Sequence, residues 1–227
     1  MNQMTTLLRW DFIHLLRNQM VTVTLLVGVV YLGLFFLLRS VGNLDRVLII
    51  MIFNDPILMS YLFAGVLLLF ERDQRTWEAL SVAPLSWEAY LWSRALSLSS
   101  LATIVSLLMV WVGYGFAINY LHFLSGCFGT SLLFVWLACL VAHRSSGFNA
   151  YLIRSIGFLV PIALPMLSLF KIWESPLLYV LPSAPGILLL EASFRTLDSW
   201  KYFYSYGYLL LAMGFAFYAC RRQFATP

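Results

Sequence analysis

An all-α polytopic membrane protein is the fold class predicted for this chain, and three observations predict it. Of 227 residues 62% are hydrophobic and only 11% charged, with a mean hydropathy of +0.86; a soluble globule of this size cannot bury so much apolar surface. Long unalternated runs such as MVTVTLLVGVVYLGLFFLL at 20–38 suit helices, because lipid admits only helix bundles and closed barrels, and a barrel would show short alternating segments. Six such runs occur, at about 20–38, 47–70, 95–118, 121–142, 151–170 and 202–220, each near the ~20 residues that a span requires. No soluble domain is expected, and residues 1–227 read as one transmembrane domain.

The N-terminal stretch MNQMTTLLRWDFIHLLRNQ has no small-residue cleavage pattern and carries Asp11, Arg17 and Asn18, so no cleaved signal is expected. Within residues 4–18, Leu8, Phe12, Leu15 and Leu16 recur at helical spacing opposite Asp11, His14 and Asn18, the pattern of a helix lying in the membrane interface. A simple extension of the first span is the other reading.

Six spans place both termini, residues 71–94 and residues 143–150 in one compartment. Arg9, Arg17, Arg72, Arg75, Arg94, Arg144, Arg154, Arg221 and Arg222 belong to that side, against Arg39, Arg46, Lys171, Arg195 and Lys201 on the other. The positive-inside rule then makes both termini cytoplasmic. The aromatic cluster Tyr202, Phe203, Tyr204, Tyr206 and Tyr208 falls at the outer end of the last span, either as an interfacial belt or as a pathway lining.

The second span carries Asp55 between Asn54 and Pro56. A carboxylate at depth costs about 2.5 to 3.5 kcal/mol on insertion scales, so Asp55 calls for a partner or for water. Arg39, at the outer end of the first span, is the candidate partner; a transport role and a structural ion pair both stay open.

Between the second and third spans, FERDQRTWEALSVAPLSWEAYLWSRAL at 70–96 is the longest charge-bearing stretch. Glu71, Arg72, Asp73 and Arg75 follow the span directly, Trp77 and Leu80 form a half-apolar turn, and Pro84 stops it. Ser86 suits an N-cap, with Glu88 in the first turn of a helix running through Tyr90 and Trp92 into the third span. Trp77, Trp87 and Trp92 are equally suited to anchor the interface.

Pro161 and Pro165 mark kinks in the fifth span. The stretch 171–200 is apolar but broken by Pro176, Pro182, Pro185 and Gly186, which rules out an ordinary seventh span. Its second part suits a helix capped at Ser183 or Ala184, with Pro185 in the first turn. Ile187, Leu190, Phe194 and Leu197 share one face; Glu191, Arg195 and Asp198 take the other, with Glu191 and Arg195 at pairing distance. Short re-entrant helices dipping into the outer leaflet are expected.

Several chemistries are excluded. Cys127, Cys139 and Cys220 fall in or beside apolar runs without metal-site or redox spacing and read as packing residues. The net charge of +4 is scattered, with no basic cluster interleaved with aromatics, so nucleic acid is not an expected partner. Ser131 stands nine residues from His122 and twelve from His143, roughly 13 and 18 Å along a helix, which excludes either as its catalytic base within that helix. No GxxxxGK[ST] phosphate loop occurs, so ATP hydrolysis is not expected of this chain.

The run from Glu71 to Leu96, with Arg75, Thr76, Trp77, Glu78 and Leu80, then Pro84 and a charged helix entering the third span, resembles permease subunits of the ABC type-2 exporter family. The layout of an amphipathic N-terminal helix, six spans and a broken pair before the last is similar over the whole chain. The wording ERDQRTWEALSVAPL looks most like the family's drug-export permeases, fluoroquinolone exporters included. Trp77 stands where a small aliphatic residue is more usual.

The resemblance implies a permease half of an ATP-driven exporter in a bacterial inner membrane, moving a hydrophobic or amphipathic substrate outward. Its partners would be an ATP-binding subunit, which would hold the ATP and Mg, and a second copy or sister permease. Residues 71–94 would be the coupling segment, with Glu71, Arg72, Asp73, Arg75 and Glu78 as charged contacts and Trp77 and Leu80 as apolar anchors. The first, second and fifth spans would line the pathway. A gradient-driven carrier using Asp55 and a non-energised assembly subunit are the competing readings.

Overall fold

The structure is a computed structural model that describes residues 3–38, 44–74, 86–173 and 175–225; all its regular elements are helical. In chain order they are α1 (Gln3–Arg17), α2 (Met20–Leu37), α3 (Leu44–Ile52), a π-helical turn (Phe53–Ile57), α4 (Leu58–Asp73), α5 (Trp87–Gly113), α6 (Tyr120–His143), α7 (Phe148–Ala163), α8 (Met166–Leu169), a 3-10 turn (Pro176–Val180), α9 (Ala184–Phe194) and α10 (Ser199–Ala225). Among the described residues six helical stretches are long and apolar enough to cross a membrane: Met20–Leu37, Leu44–Asp73, Trp87–Gly113, Tyr120–His143, Phe148–Leu169 and Ser199–Phe224. The second is one continuous rod of α3, the π turn and α4.

The N-terminal helix is a separate element. Gln19 adopts a left-handed conformation, φ 56°, between α1 and α2, which breaks the axis that an extended first span would need. Leu15 is buried and Asp11 is turned toward α5, whereas Trp10, Phe12 and Leu16 are exposed. The Arg94 and Ser93 side chains of α5, bound by Asp11, fix the side of α1 that faces the bundle.

At the centre stands α6, packed against α4, α5, α9 and α10. Close approach depends on its small residues. A Cβ on Gly129 would meet the Leu209 side chain at 2.7 Å, and one on Gly126 would lie 2.8 Å from Leu189 Cβ. By contrast α2, α7 and α10 bury little and leave Leu26, Val29, Ile153, Ile156, Leu211 and Phe215 exposed. Those apolar faces require lipid or another apolar surface.

The third span starts at Trp87 and ends at Gly113, rather than running over 95–118. Ser86 sets the start as expected, its Oγ accepting from the Ala89 amide at 3.2 Å. Residues 114–119 leave the helix through Gly115, φ 103°. The fifth span is interrupted at Leu164 and Pro165.

Before the last span, α9 starts at Ala184, with Pro185 in its first turn as expected. Most of the helix is buried, with Leu188, Glu191 and Phe194 half-buried, and it ends at Phe194. Leu197 and Asp198 therefore lie beyond it, and Arg195 is the first extended residue. Arg195 still reaches Glu191 at 2.7 Å, and also Asp45 at 3.6 Å, while Asp198 pairs with Lys201 at 2.8 Å. Gly186 sits against Thr130, where a Cβ would come within 2.0 Å of Oγ1. Thr130 lies ten residues into α6, about 15 Å from its start. At the other end the Asn119 amide donates to the Ser193 carbonyl at 2.9 Å. Eleven residues thus run from mid-bundle to one end of α6.

Candidate functional site

Two places in this fold hold polar groups that an apolar bundle does not need. One lies where α4 and α5 flank residues 74–86; the other is Asp55.

Arg94 occupies the second turn of α5 and is only 4% exposed. Burying a guanidinium is costly unless it is paired and hydrogen-bonded. The chain supplies two carboxylates. Glu71, in the last turn of α4, pairs with the Arg94 guanidinium and accepts from the Tyr90 hydroxyl. Asp11 of α1 lies 3.4 Å from Arg94 on its other side and accepts from the Ser93 hydroxyl. The Tyr90 ring also lies under the guanidinium, 5.4 Å from centroid to Cζ. Helical spacing explains the convergence: Tyr90, Ser93 and Arg94 share one face of α5. Burial pushes the Asp11 carboxyl above its ordinary value, a rise that Arg94 and Ser93 oppose.

Further bonds fasten the same end of the bundle. Arg72 donates to the Ser145 carbonyl at 2.7 Å, beyond the end of α6, and Arg154 of α7 donates to the Arg144 carbonyl. Glu88, in the first turn of α5, pairs with Arg221 near the end of α10 at 2.8 Å. Trp87 packs on Tyr90 and Phe224, and Trp92 on Trp136 and Phe217. Both ends of the α4–α5 connection are therefore clamped to α1, α6 and α10.

Of the residues singled out from sequence around this connection, Glu71 faces inward onto Arg94, Arg72 bonds across to Ser145, and Asp73 is exposed. Arg75, Trp77, Glu78 and Leu80 lie outside the described residues, as does Arg39. Arg94 was counted in sequence only as a cytoplasmic charge. One signal could have found it: an arginine inside a helix that continues as a span must face protein rather than lipid.

Asp55 sits in the π turn, eleven residues from the start of α3, about 16 Å along the rod. It is 1% exposed, and among the described residues neither carboxylate oxygen has a hydrogen-bond partner. Its neighbour Asn54 donates to the Ile50 carbonyl at 3.2 Å.

At the opposite end, Arg46, Lys171, Glu191, Arg195 and Lys201 are among the residues lining a cavity of about 390 Å³ between the 3-10 turn and α9. The aromatic cluster is tied to its lining at Tyr179. Tyr204 and Tyr208 donate to the Tyr179 and Val180 carbonyls, and the Tyr206 hydroxyl lies 2.8 Å from His122 Nδ1. Phe203 remains exposed, while these tyrosines clip the 3-10 turn and α6 to α10.

Comparison with known proteins gives a consistent result. Residues 2–226 match the profile of the fluoroquinolones export permease protein family. Two proteins named fluoroquinolones export permease protein, from Mycobacterium tuberculosis strains CDC 1551 / Oshkosh and ATCC 25618 / H37Rv, are each 25% identical over 158 residues. The aligned part covers 68% of this chain and 67% of each relative.

Proposed function

Because the chain belongs to the fluoroquinolones export permease protein family, we propose that it is the transmembrane half of an ATP-driven ABC exporter of amphipathic, fluoroquinolone-like drugs. An ATP-binding subunit supplies ATP and Mg²⁺ chemistry, and a second copy or a sister permease completes the pathway. The protein resides in a bacterial inner membrane with both termini cytoplasmic, and α9 with the preceding 3-10 turn forms a re-entrant pair in the outer leaflet.

The observation that carries this reading is the clamped α4–α5 connection. A loop whose two stems are tied by Arg94, Glu71, Asp11, Arg72 and Glu88 to α1, α6 and α10 cannot be displaced without moving those helices. Such a segment suits a docking element that passes the closure of a nucleotide-binding partner to the spans. Contact with the partner is assigned to Asp73, Arg75, Trp77, Glu78 and Leu80, and Glu71, through Arg94, is a positioning residue. The exposed apolar faces of α2 and α7 suit lipid on one side and the second permease on the other.

Affinity purification of the tagged chain from its native host in mild detergent tests the proposal. The expected result is stoichiometric recovery of a soluble ATP-binding subunit, lost when residues 71–80 are replaced by a neutral linker. A folded, self-associated chain without such a partner would overturn the reading in favour of an assembly subunit or a carrier driven by an ion gradient.

A further inference from the structure

Asp55 is unused by the coupling arrangement, and the fold has no need of it. Both carboxylate oxygens are buried and, among the described residues, without a hydrogen-bond partner, while the nearby hydroxyls of the same rod are bonded: Ser60 donates to the Ile57 carbonyl and the Tyr61 hydroxyl to Ser155. A structural carboxylate at this depth would be held by donors; one held by none is costly. It also sits in a π-helical turn with Pro56 following, an irregularity that recurs at functional sites.

What lies across from it is α2. Gly28 faces the carboxylate, and a Cβ there would stand 3.8 Å from Oδ2 and 3.3 Å from Val105 Cγ1. Thr24, one turn earlier on α2, borders a crevice shared with Pro56, Ser60 and Leu101. The crevice is too narrow to hold even water here, so nothing drug-sized enters without a shift of α2. That helix is held by few buried residues, namely Met20, Thr24, Gly28 and Phe35.

We infer that Asp55 is the counter-ion for the protonated amine of the transported substrate, reached when α2 moves away from the π turn. The inference rests on the drug-exporter reading and narrows its substrate class to cationic or zwitterionic amphiphiles. When the ammonium arrives a carboxylate–ammonium pair forms, and any proton on the carboxyl leaves to water, so charge and atoms balance. A buried carboxylate that gains its only partner from the ligand gives selectivity, because a neutral analogue leaves it unpaired.

The test is equilibrium binding to the full chain in lipid nanodiscs, using norfloxacin, which has a free piperazine amine, and its N-acetylated form, which has no cationic amine. Norfloxacin is expected to bind Asp55→Asn at least tenfold more weakly than the unaltered chain, and the acetylated form to bind both alike. Gly28→Ala, which narrows the space beside the carboxylate, is expected to weaken norfloxacin in the same direction. Equal norfloxacin affinity for the unaltered chain and Asp55→Asn would overturn the inference while leaving the exporter reading intact. An Asp55→Asn protein that aggregates would overturn it as well, since an unpartnered carboxylate has no fold to hold. Absence of saturable norfloxacin binding to the unaltered chain overturns it together with the choice of drug, and recovery of an ATP-binding subunit then judges the exporter reading separately.

Discussion

Arg94 shows how one side chain in an apolar bundle determines the faces of three helices. Its guanidinium draws Glu71 from α4 and Asp11 from α1, so the cost of truncating it is that of leaving two carboxylates uncompensated. Arg94→Ala is expected to destabilise the fold by about 3–5 kcal/mol, read as a lower unfolding midpoint in detergent; Arg94→Lys, with charge but no planar fork, should fall between. The Asp11 carboxyl supplies a pH prediction. Its value is raised in the folded state by burial, so the folded state binds this proton more tightly than the unfolded state. The linked contribution to stability is full below the ordinary carboxylate value and is lost as pH rises through the raised one. Thermal unfolding of Asp11→Asn across that window is expected to lack the slope that this residue contributes to the unaltered protein. Neither Arg94 nor Asp11 was legible as a pair in sequence, because 82 intervening residues separate them and spacing reports neighbours only along one helix.

Single elements were more legible than their faces. Ser86 as the cap of α5, Pro185 in the first turn of α9 and the Glu191–Arg195 pair follow from local geometry, and each is found. The buried part of α9 extends beyond the face carrying Ile187 and Leu190, because its surroundings, α3, α6 and α10, also cover Leu189, Ala192 and Ser193. Its fit against α6 is set by small residues, since Gly186 faces Thr130 and Gly126 faces Leu189. Thr130 is short and sits on a packed helix, so it cannot swing clear of an added methyl. Gly186→Ala is expected to cost about 1–3 kcal/mol through overpacking, measured as a lower midpoint of thermal aggregation. Gly157→Ala, with open space around the added carbon, serves as the control and should be neutral or slightly stabilising.

Over the whole molecule, the contacts gather α1, the α4–α5 connection, the end of α6 and the end of α10 at one end of the bundle, and Asp45, Arg195 and Lys201 at the other. This matches the alternation that six spans require. Sidedness is testable because Cys127, Cys139 and Cys220 are buried and free, leaving the native chain a quiet background for thiol labelling. Cysteines replacing Asp73 or Ser146, both exposed at the clamped end, should react with a membrane-impermeant maleimide only after the cells are opened. One replacing Thr196, exposed at the opposite end, should react in intact spheroplasts. The reverse pattern would contradict the arginine bias that orients the chain.

Composition and run length by themselves determined that this protein is a six-helix membrane bundle, because the hydrophobic demand of a span is a property of a contiguous segment. The caps and breaks at Ser86, Pro165 and Pro185 were equally local. The tertiary structure decided which polar groups meet: Arg94 with Glu71 and Asp11, Arg72 with the Ser145 carbonyl, and Asp55 with none among the described residues. Pairing across helices depends on their rotation and depth, quantities set by packing at Gly126, Gly129 and Gly186 rather than by any one segment's pattern.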